Sequence, residues 1–299
     1  MGRTLNPLQL QAFAAVAEQG NFERAAQQLH LTQSAVSQRI KQLEEGLGQL
    51  LIVRGQPLGL TGAGERLLAY QRQQRLLERE LLQQLGCRDD APQTPLCIAL
   101  TADSLATWFL PALQPLLAQQ GVLLDLRVSD QDQTHAFLRR GEVLGCISSG
   151  ATALQGCRCV PLGRMRYRAL ASPAFHARYF ADGVDGAALR RAPAVDYDLQ
   201  DALQRRYLRQ QFQLGGDYPR HRVPSPEAYL QMVVQGHGWG MLPDLQGAPL
   251  LEAGALRELT PAVNAEVALY WHCSALASTT LEALERALLG YARRALAPL

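Results

Sequence analysis

Lysine is almost missing from this chain of 299 residues: Lys41 is the only one, and the other 28 basic residues are arginine. Codon usage accounts for that bias without invoking function. Net charge is only +2, so no polybasic tail exists and any contact with a polyanion must be local. No stretch approaches 18 apolar residues, and the N-terminus lacks a charged segment followed by an unbroken apolar run, so neither a membrane span nor a secretion signal is expected. That predicts a cytoplasmic protein, whose six cysteines would be reduced thiols. Only Cys157 and Cys159 are close, and their spacing is not the C-x-x-C of redox or zinc sites. The six histidines show no metal-ligand spacing. Nucleophile–base pairings and glycine-rich phosphate loops are missing too, so no metal, no cofactor and no enzymatic role are expected. With 47% apolar and 19% charged residues, the length suffices for two domains with separate cores.

From Asn21 to Leu47 the apolar residues fall at Phe22, Ala25, Ala26 and Leu29, then at Val36, Ile40, Leu43 and Leu47. Both sets have the three-to-four-residue period of a helix with one buried stripe. Asn21 and Thr32 are placed to cap the two helices, and Leu29-His30-Leu31 makes the turn. On the second helix Ser34, Ser37, Gln38 and Lys41 share the face opposite the stripe, with Gln33 beside them at its start. Short hydroxyl and amide side chains can approach base edges in a DNA groove. An ordinary helix pair with a solvated face would show the same period. It would also mix charges, whereas no acid occurs from Leu31 to Leu43.

Residues 51–57 and 58–61 read as two short strands around a turn, a wing on which Arg54 could reach a phosphate or the minor groove. Thr61 then opens a long helix to about Leu85, with leucines at 67, 68, 76, 77, 81, 82 and 85. Such a helix needs a partner, expected to be the same helix of a second subunit. The polar, proline-bearing run 87–95 reads as a hinge. Beyond it strands (96–101, 122–128, 144–148) alternate with helices (104–120, 134–140), arguing for βαβ units around a parallel sheet. A second block begins near Gly163, with strands at 167–171, 194–197 and 222–223 and helices at 200–213 and 227–234. The chain returns through a strand at 267–271 to a final helix, 280–296. Two α/β lobes leave a cleft between them where strand ends and helix starts converge.

The run Asn21-Phe22-Glu23-Arg24-Ala25-Ala26, then Thr32-Gln33-Ser34-Ala35-Val36-Ser37-Gln38-Arg39-Ile40, with Leu43-Glu44 and Leu47-Gly48, resembles the DNA-binding segment of LysR-type transcriptional regulators. Leu60-Thr61-Gly62-Ala63-Gly64 matches that family's Leu-Thr-x-x-Gly element. The runs 101–108, 139–143 (Arg-Arg-Gly-Glu-Val) and 269–272 (Leu-Tyr-Trp-His) resemble the family's ArgP/LysG branch, similar also to the IciA-like regulators, which senses lysine and arginine and controls basic amino-acid export. The resemblance covers nearly the whole chain. It implies an α+β multidomain fold: a winged helix-turn-helix (1–60), a linker helix (61–86), a hinge (87–95) and a two-lobed effector domain like periplasmic binding proteins (96–299). Lobe I would be 96–163 with 267–299, and lobe II 164–266.

A lysine or arginine effector carries one carboxylate and two cations. The carboxylate favours a helix start with a hydroxyl beside it, and Ser104, with Thr101 and Asp103 in the same strand-to-helix turn, fits that place. Ser148 and Ser149 would add donors from the opposite wall, and Asp130, Asp132, Asp196 or Asp198 would meet the cations, Asp196 foremost. At Thr101 the branch's own pattern has asparagine, a departure that bears on ligand preference. The expected partners are duplex DNA, the effector, further copies of the chain as dimer or tetramer, and RNA polymerase. An architectural or replication-control DNA-binding protein indifferent to metabolites is the rival reading.

Overall fold

The computed structural model describes residues 4–53, 55, 57–86, 95–119, 122–129, 131–199, 202–215, 218–261 and 263–299. Arg54, Asp130 and the expected hinge from 87 to 94 therefore lie outside the described residues, as does the side chain of Asp132.

The head begins with α1 (Pro7–Gln19), which the periodicity argument passed over although Asn6, Pro7 and Gly20 mark its ends. It is followed by α2 (Phe22–Gln28) and α3 (Gln33–Leu47), capped by Asn21 and Thr32 as expected. Phe13 and Val16 of α1, Ala25 and Ala26 of α2, and Val36, Ile40 and Leu43 of α3 form one core. The wing is β1 (Ile52–Val53) paired antiparallel with β2 (Gly59–Leu60).

Helix α4 (Gly62–Gln84) starts at the Leu-Thr-x-x-Gly element, and the geometry explains that motif. The Thr61 hydroxyl donates to the Leu50 carbonyl (2.6 Å) and accepts from Gly64 N (3.1 Å). A Cβ on Gly64 would stand 2.2 Å from the Leu51 carbonyl oxygen, a backbone atom that cannot swing away. Gly64→Ala is expected to cost about 1–3 kcal/mol of stability by overpacking, measurable as a lowered melting temperature.

The linker helix does not wait for a second subunit to bury all its leucines. Leu68 joins the head core and Leu76 the core of the C-terminal domain, while Leu77, Leu81, Leu85 and Tyr70 stay exposed. Arg72 donates to the carbonyls of Gly141 (3.1 Å) and Glu142 (2.7 Å), and Gln73 donates to Ser274 (3.0 Å). Near the end of α4 the buried Glu80 accepts from the Ser278 hydroxyl and from the N–H groups of Thr279 and Thr280.

In the C-terminal domain β3 (Leu96–Leu100) leads into a helix built of α5 (Ala102–Ser104), a π-helical turn (Leu105–Phe109) and α6 (Leu110–Ala118). Then come β4 (Leu124–Val128), α7 (Gln131–Arg139) and β5 (Gly145–Ser148). Strand β3 pairs parallel with both β4 and β5, as the alternation predicted. The rest of the sheet corrects that reading. β6 (Cys157–Ala171) is one long strand, antiparallel to β11 (Ala265–Ser274), which is antiparallel to β5. The expected strand at 167–171 is only its second half.

The second half of β6 pairs with β9 (Gly240–Pro243) and β10 (Arg257–Glu258). Around it lie α8 (Pro173–Tyr179), α9 (Gly186–Arg191), β7 (Ala194–Asp196), α10 (Leu203–Phe212), β8 (Arg220–Arg222), α11 (Pro226–Val234) and α12 (Asp244–Glu252). Helix α13 (Thr279–Ala295) closes the chain. Strands β6 and β11 thus run through both halves of the domain, and the main core follows them, from Leu100 and Trp271 on one side to Tyr207 and Trp239 on the other. Among the described residues no helix is long and apolar enough to cross a membrane.

Candidate nucleic-acid interface and effector cleft

Asn21 holds the start of α2 by accepting from Glu23 N (2.7 Å) and Arg24 N (3.3 Å). His30 takes a left-handed backbone (φ 53°) in the turn, and Leu31 N reaches back to the Ala26 carbonyl (2.9 Å). With Val36, Ile40 and Leu43 buried, the opposite face of α3 must point outward. Gln33, Ser34, Gln38 and Lys41 are exposed and Ser37 is half-buried. Thr32 is also exposed, but its hydroxyl already caps α3 through Ala35 N (3.2 Å) and meets Ser34 Oγ (3.0 Å). The first acid after this face, Glu44, folds back to accept from Leu51 N and Ile52 N of the wing, which fixes wing and helix together. Lys41 and Glu45 face each other at 3.8 Å in full solvent, a pair too exposed to hold Lys41 away from a phosphate.

At the other end of the molecule the C-terminal ends of β3 and β5 lie side by side. Thr101, not Ser104, is the helix cap: its hydroxyl accepts from Ser104 N (3.4 Å) and donates to Ser104 Oγ (3.0 Å). Ser104 is fully buried under that contact, so Thr101 is the accessible hydroxyl of the turn. The Asp103 carboxylate accepts from Tyr167 OH (2.8 Å), a residue of β6. Ser148 ends β5, buried, with Oγ 2.6 Å from His135 Nε2, and Ser149 beside it is half-buried. Burial raises the pKa of Tyr197, and the charges of Asp103, Asp198 and Glu227 push it further.

Asp196 is placed otherwise than the sequence reading proposed. It is 3% exposed, and its carboxylate accepts from Gln204 Nε2 (2.7 Å) and Tyr218 OH (3.1 and 3.2 Å) and pairs with Arg220 (3.4 Å). That network ties β7, β8 and α10 together, so Asp196 belongs to the framework of this half rather than to a ligand wall. The thiols of Cys97 and Cys273 are pushed up to about 11 and that of Cys146 to about 12, burial being the largest cause in each, so all three are neutral at physiological pH. No group of three metal-binding side chains exists among the described residues.

Residues 8–65 match the family described as bacterial regulatory helix-turn-helix protein, lysR family, and residues 89–293 match the LysR substrate binding domain. The chain belongs to the LysR family. It is 44% identical over 292 residues, 97% of each chain, to the HTH-type transcriptional regulator ArgP of Aeromonas salmonicida. It is 46% identical over 290 residues, 96% of each chain, to the ArgP of Proteus mirabilis. The solved ArgP of Mycobacterium tuberculosis superposes with a TM-score of 0.86 at 38% identity, covering 99% of this chain and 100% of that one. Full-length LysG of Corynebacterium glutamicum, solved with bound effector Arg, gives 0.78 at 36% identity, covering 98% and 100%. This LysR-type protein is therefore a DNA-binding transcriptional regulator with an effector-binding domain, and its named relatives are regulators rather than enzymes.

Within this LysR-type domain, Tyr167 and His135, which contact Asp103 and Ser148, were not among the residues singled out from sequence, because each comes from a distant element.

Proposed function

We propose that this regulator is switched by free arginine or lysine and controls the export or metabolism of basic amino acids. One observation carries the reading. The hydroxyl-bearing helix start at Thr101–Ser104, which includes Asp103, follows β3 beside β5 with its Ser148 and Ser149, and the Tyr197 phenol feels the charges of Asp103, Asp198 and Glu227. That is the complement of a ligand with one carboxylate and two cations. The arginine bound to LysG supports the same chemistry. Ligand closes the two halves on itself and thereby favours one arrangement of the DNA-binding heads over another. Self-association as a dimer or tetramer would use the exposed Tyr70, Leu77, Leu81 and Leu85 of α4, and RNA polymerase would be met at the promoter.

Arginine or lysine should raise the melting temperature, because a ligand that binds only the folded state stabilises it by mass action. The other amino acids should leave it in place; a protein that responds to none of them would sink the reading. At the DNA face, Ser37→Ala and Gln38→Ala should each cost about 1–3 kcal/mol of discrimination between the selected site and random duplex. Equal loss on both duplexes in a titration would contradict base reading.

A further inference from the structure

We infer that His135 and His272 are positioning residues of the effector cleft, gripping the Ser148-Ser149-Gly150 turn from beneath. The inference rests on the amino-acid receptor reading above. Across the sheet Cys146 of β5 pairs with His272 of β11, which pairs with Cys159 of β6. Successive side chains alternate faces, so Cys146 and Ser148 share the face that His272 occupies. Helix α7 covers it and lays His135 over His272, the rings meeting edge to face with centroids 4.4 Å apart.

The two rings take hold of opposite ends of one short turn. His135 Nε2 lies 2.6 Å from Ser148 Oγ, and that hydroxyl also accepts from Gly150 N (3.3 Å). His272 Nε2 lies 2.8 Å from the Gly150 carbonyl oxygen. A carbonyl can only accept, so His272 carries its hydrogen on Nε2. Its Nδ1 is then a bare acceptor, buried and with no hydrogen-bond partner among the described residues. Gly150 itself is required by the arrangement, since a Cβ there would stand 2.8 Å from His135 Cε1. The Leu-Tyr-Trp-His run that marks the branch thus delivers, in His272, a donor to the floor of the Ser148-Ser149-Gly150 turn.

The titratable groups on this face are Cys146 from β5 and Cys157 and Cys159 from β6, thiols raised by burial and hence uncharged, with the other imidazole contributed by α7. Burial first, and then His135, holds His272 below the ordinary imidazole value of 6.5, while the bond to Gly150 works the other way. His272 is therefore neutral at physiological pH, with its Nε2 hydrogen directed at the Gly150 carbonyl.

The test is calorimetric titration of L-arginine and L-lysine into the full-length protein and its variants, with affinity for a selected DNA site measured beside it. His272→Leu, which removes the donor, should weaken amino-acid binding tenfold or more and leave DNA affinity without effector within about twofold. His272→Gln, which can present an N–H to Gly150, should recover binding to within about threefold of the parent. Parent-like amino-acid affinity in His272→Leu would overturn the inference. So would equal losses in the Leu and Gln variants, since the donor would then be irrelevant. If the parent protein binds neither amino acid, the receptor reading itself fails and the inference falls with it, an outcome visible before any variant is made.

Discussion

Gly141→Ala is expected to unseat the linker helix from the effector domain. Gly141 closes the turn after α7 with φ 67°, a left-handed conformation that costs a side-chain-bearing residue roughly 1–2 kcal/mol. The second penalty is steric: a Cβ there would lie 2.0 Å from Ala69 Cβ and 2.9 Å from its Cα. Overpacking of that kind costs about 1–3 kcal/mol, so the sum should reach about 2–5 kcal/mol, with loss of the two Arg72 bonds to this turn on top. Chemical denaturation gives the total. The double variant Gly141→Ala, Ala69→Gly should regain the steric part and not the backbone part. A strictly additive cycle would mean that the helix does not press on this turn. The Arg-Arg-Gly-Glu-Val run, which from sequence looked merely characteristic, is thereby the seat on which α4 rests.

Glu80→Ala is expected to produce the second large effect, roughly 2–4 kcal/mol, because it removes one buried carboxylate that satisfies three donors at the start of α13, the Ser278 hydroxyl among them buried. Burial alone would raise the Glu80 pKa, but the hydrogen bonds from Ser278, Thr280 and Thr279 together hold it below its ordinary 4.5. A depressed carboxylate stabilises the fold above its unfolded pKa and loses that contribution as pH falls through the folded one. The parent should therefore lose stability below about pH 4.5 more steeply than Glu80→Ala does, and melting curves across that range would reveal the difference. Curves of identical slope would show that the carboxylate is not the partner drawn here.

Much of the fold was legible because local chemistry agreed with it. Asn21, Thr32 and Thr61 cap the helices their positions suggested, and Thr279–Ala295 appears where its apolar period put it. What stayed hidden was set by tertiary partners. Arg158, Arg164, Arg166 and Arg168 broke the apolar pattern of β6, so only its last residues looked like a strand. In the structure the last three of these arginines pair with Glu266, Asp244 and Glu258 on neighbouring elements. Linker leucines Leu68 and Leu76 pointed to a second subunit because the docking surfaces on head and lobe are long-range. That Thr101 and Ser148 stand at the ends of β3 and β5 was readable from the strand pattern. Asp196 misled because an aspartate in an apolar strand suits a ligand or a framework equally, and only Gln204, Tyr218 and Arg220 decide between them.

The unbroken passage of β6 and β11 through both halves of the effector domain has a mechanical corollary. Two hydrogen-bonded ribbons cannot swing like a single-chain hinge; they flex where their pairing is already irregular. That place is marked by the register shift between Leu269 and Tyr270, facing Gly163 with its φ of 145°. If ligand closes the two halves as proposed, the travel would be a short, stiff bend about one kinked ladder, its amplitude set by how far a bulged strand will pucker.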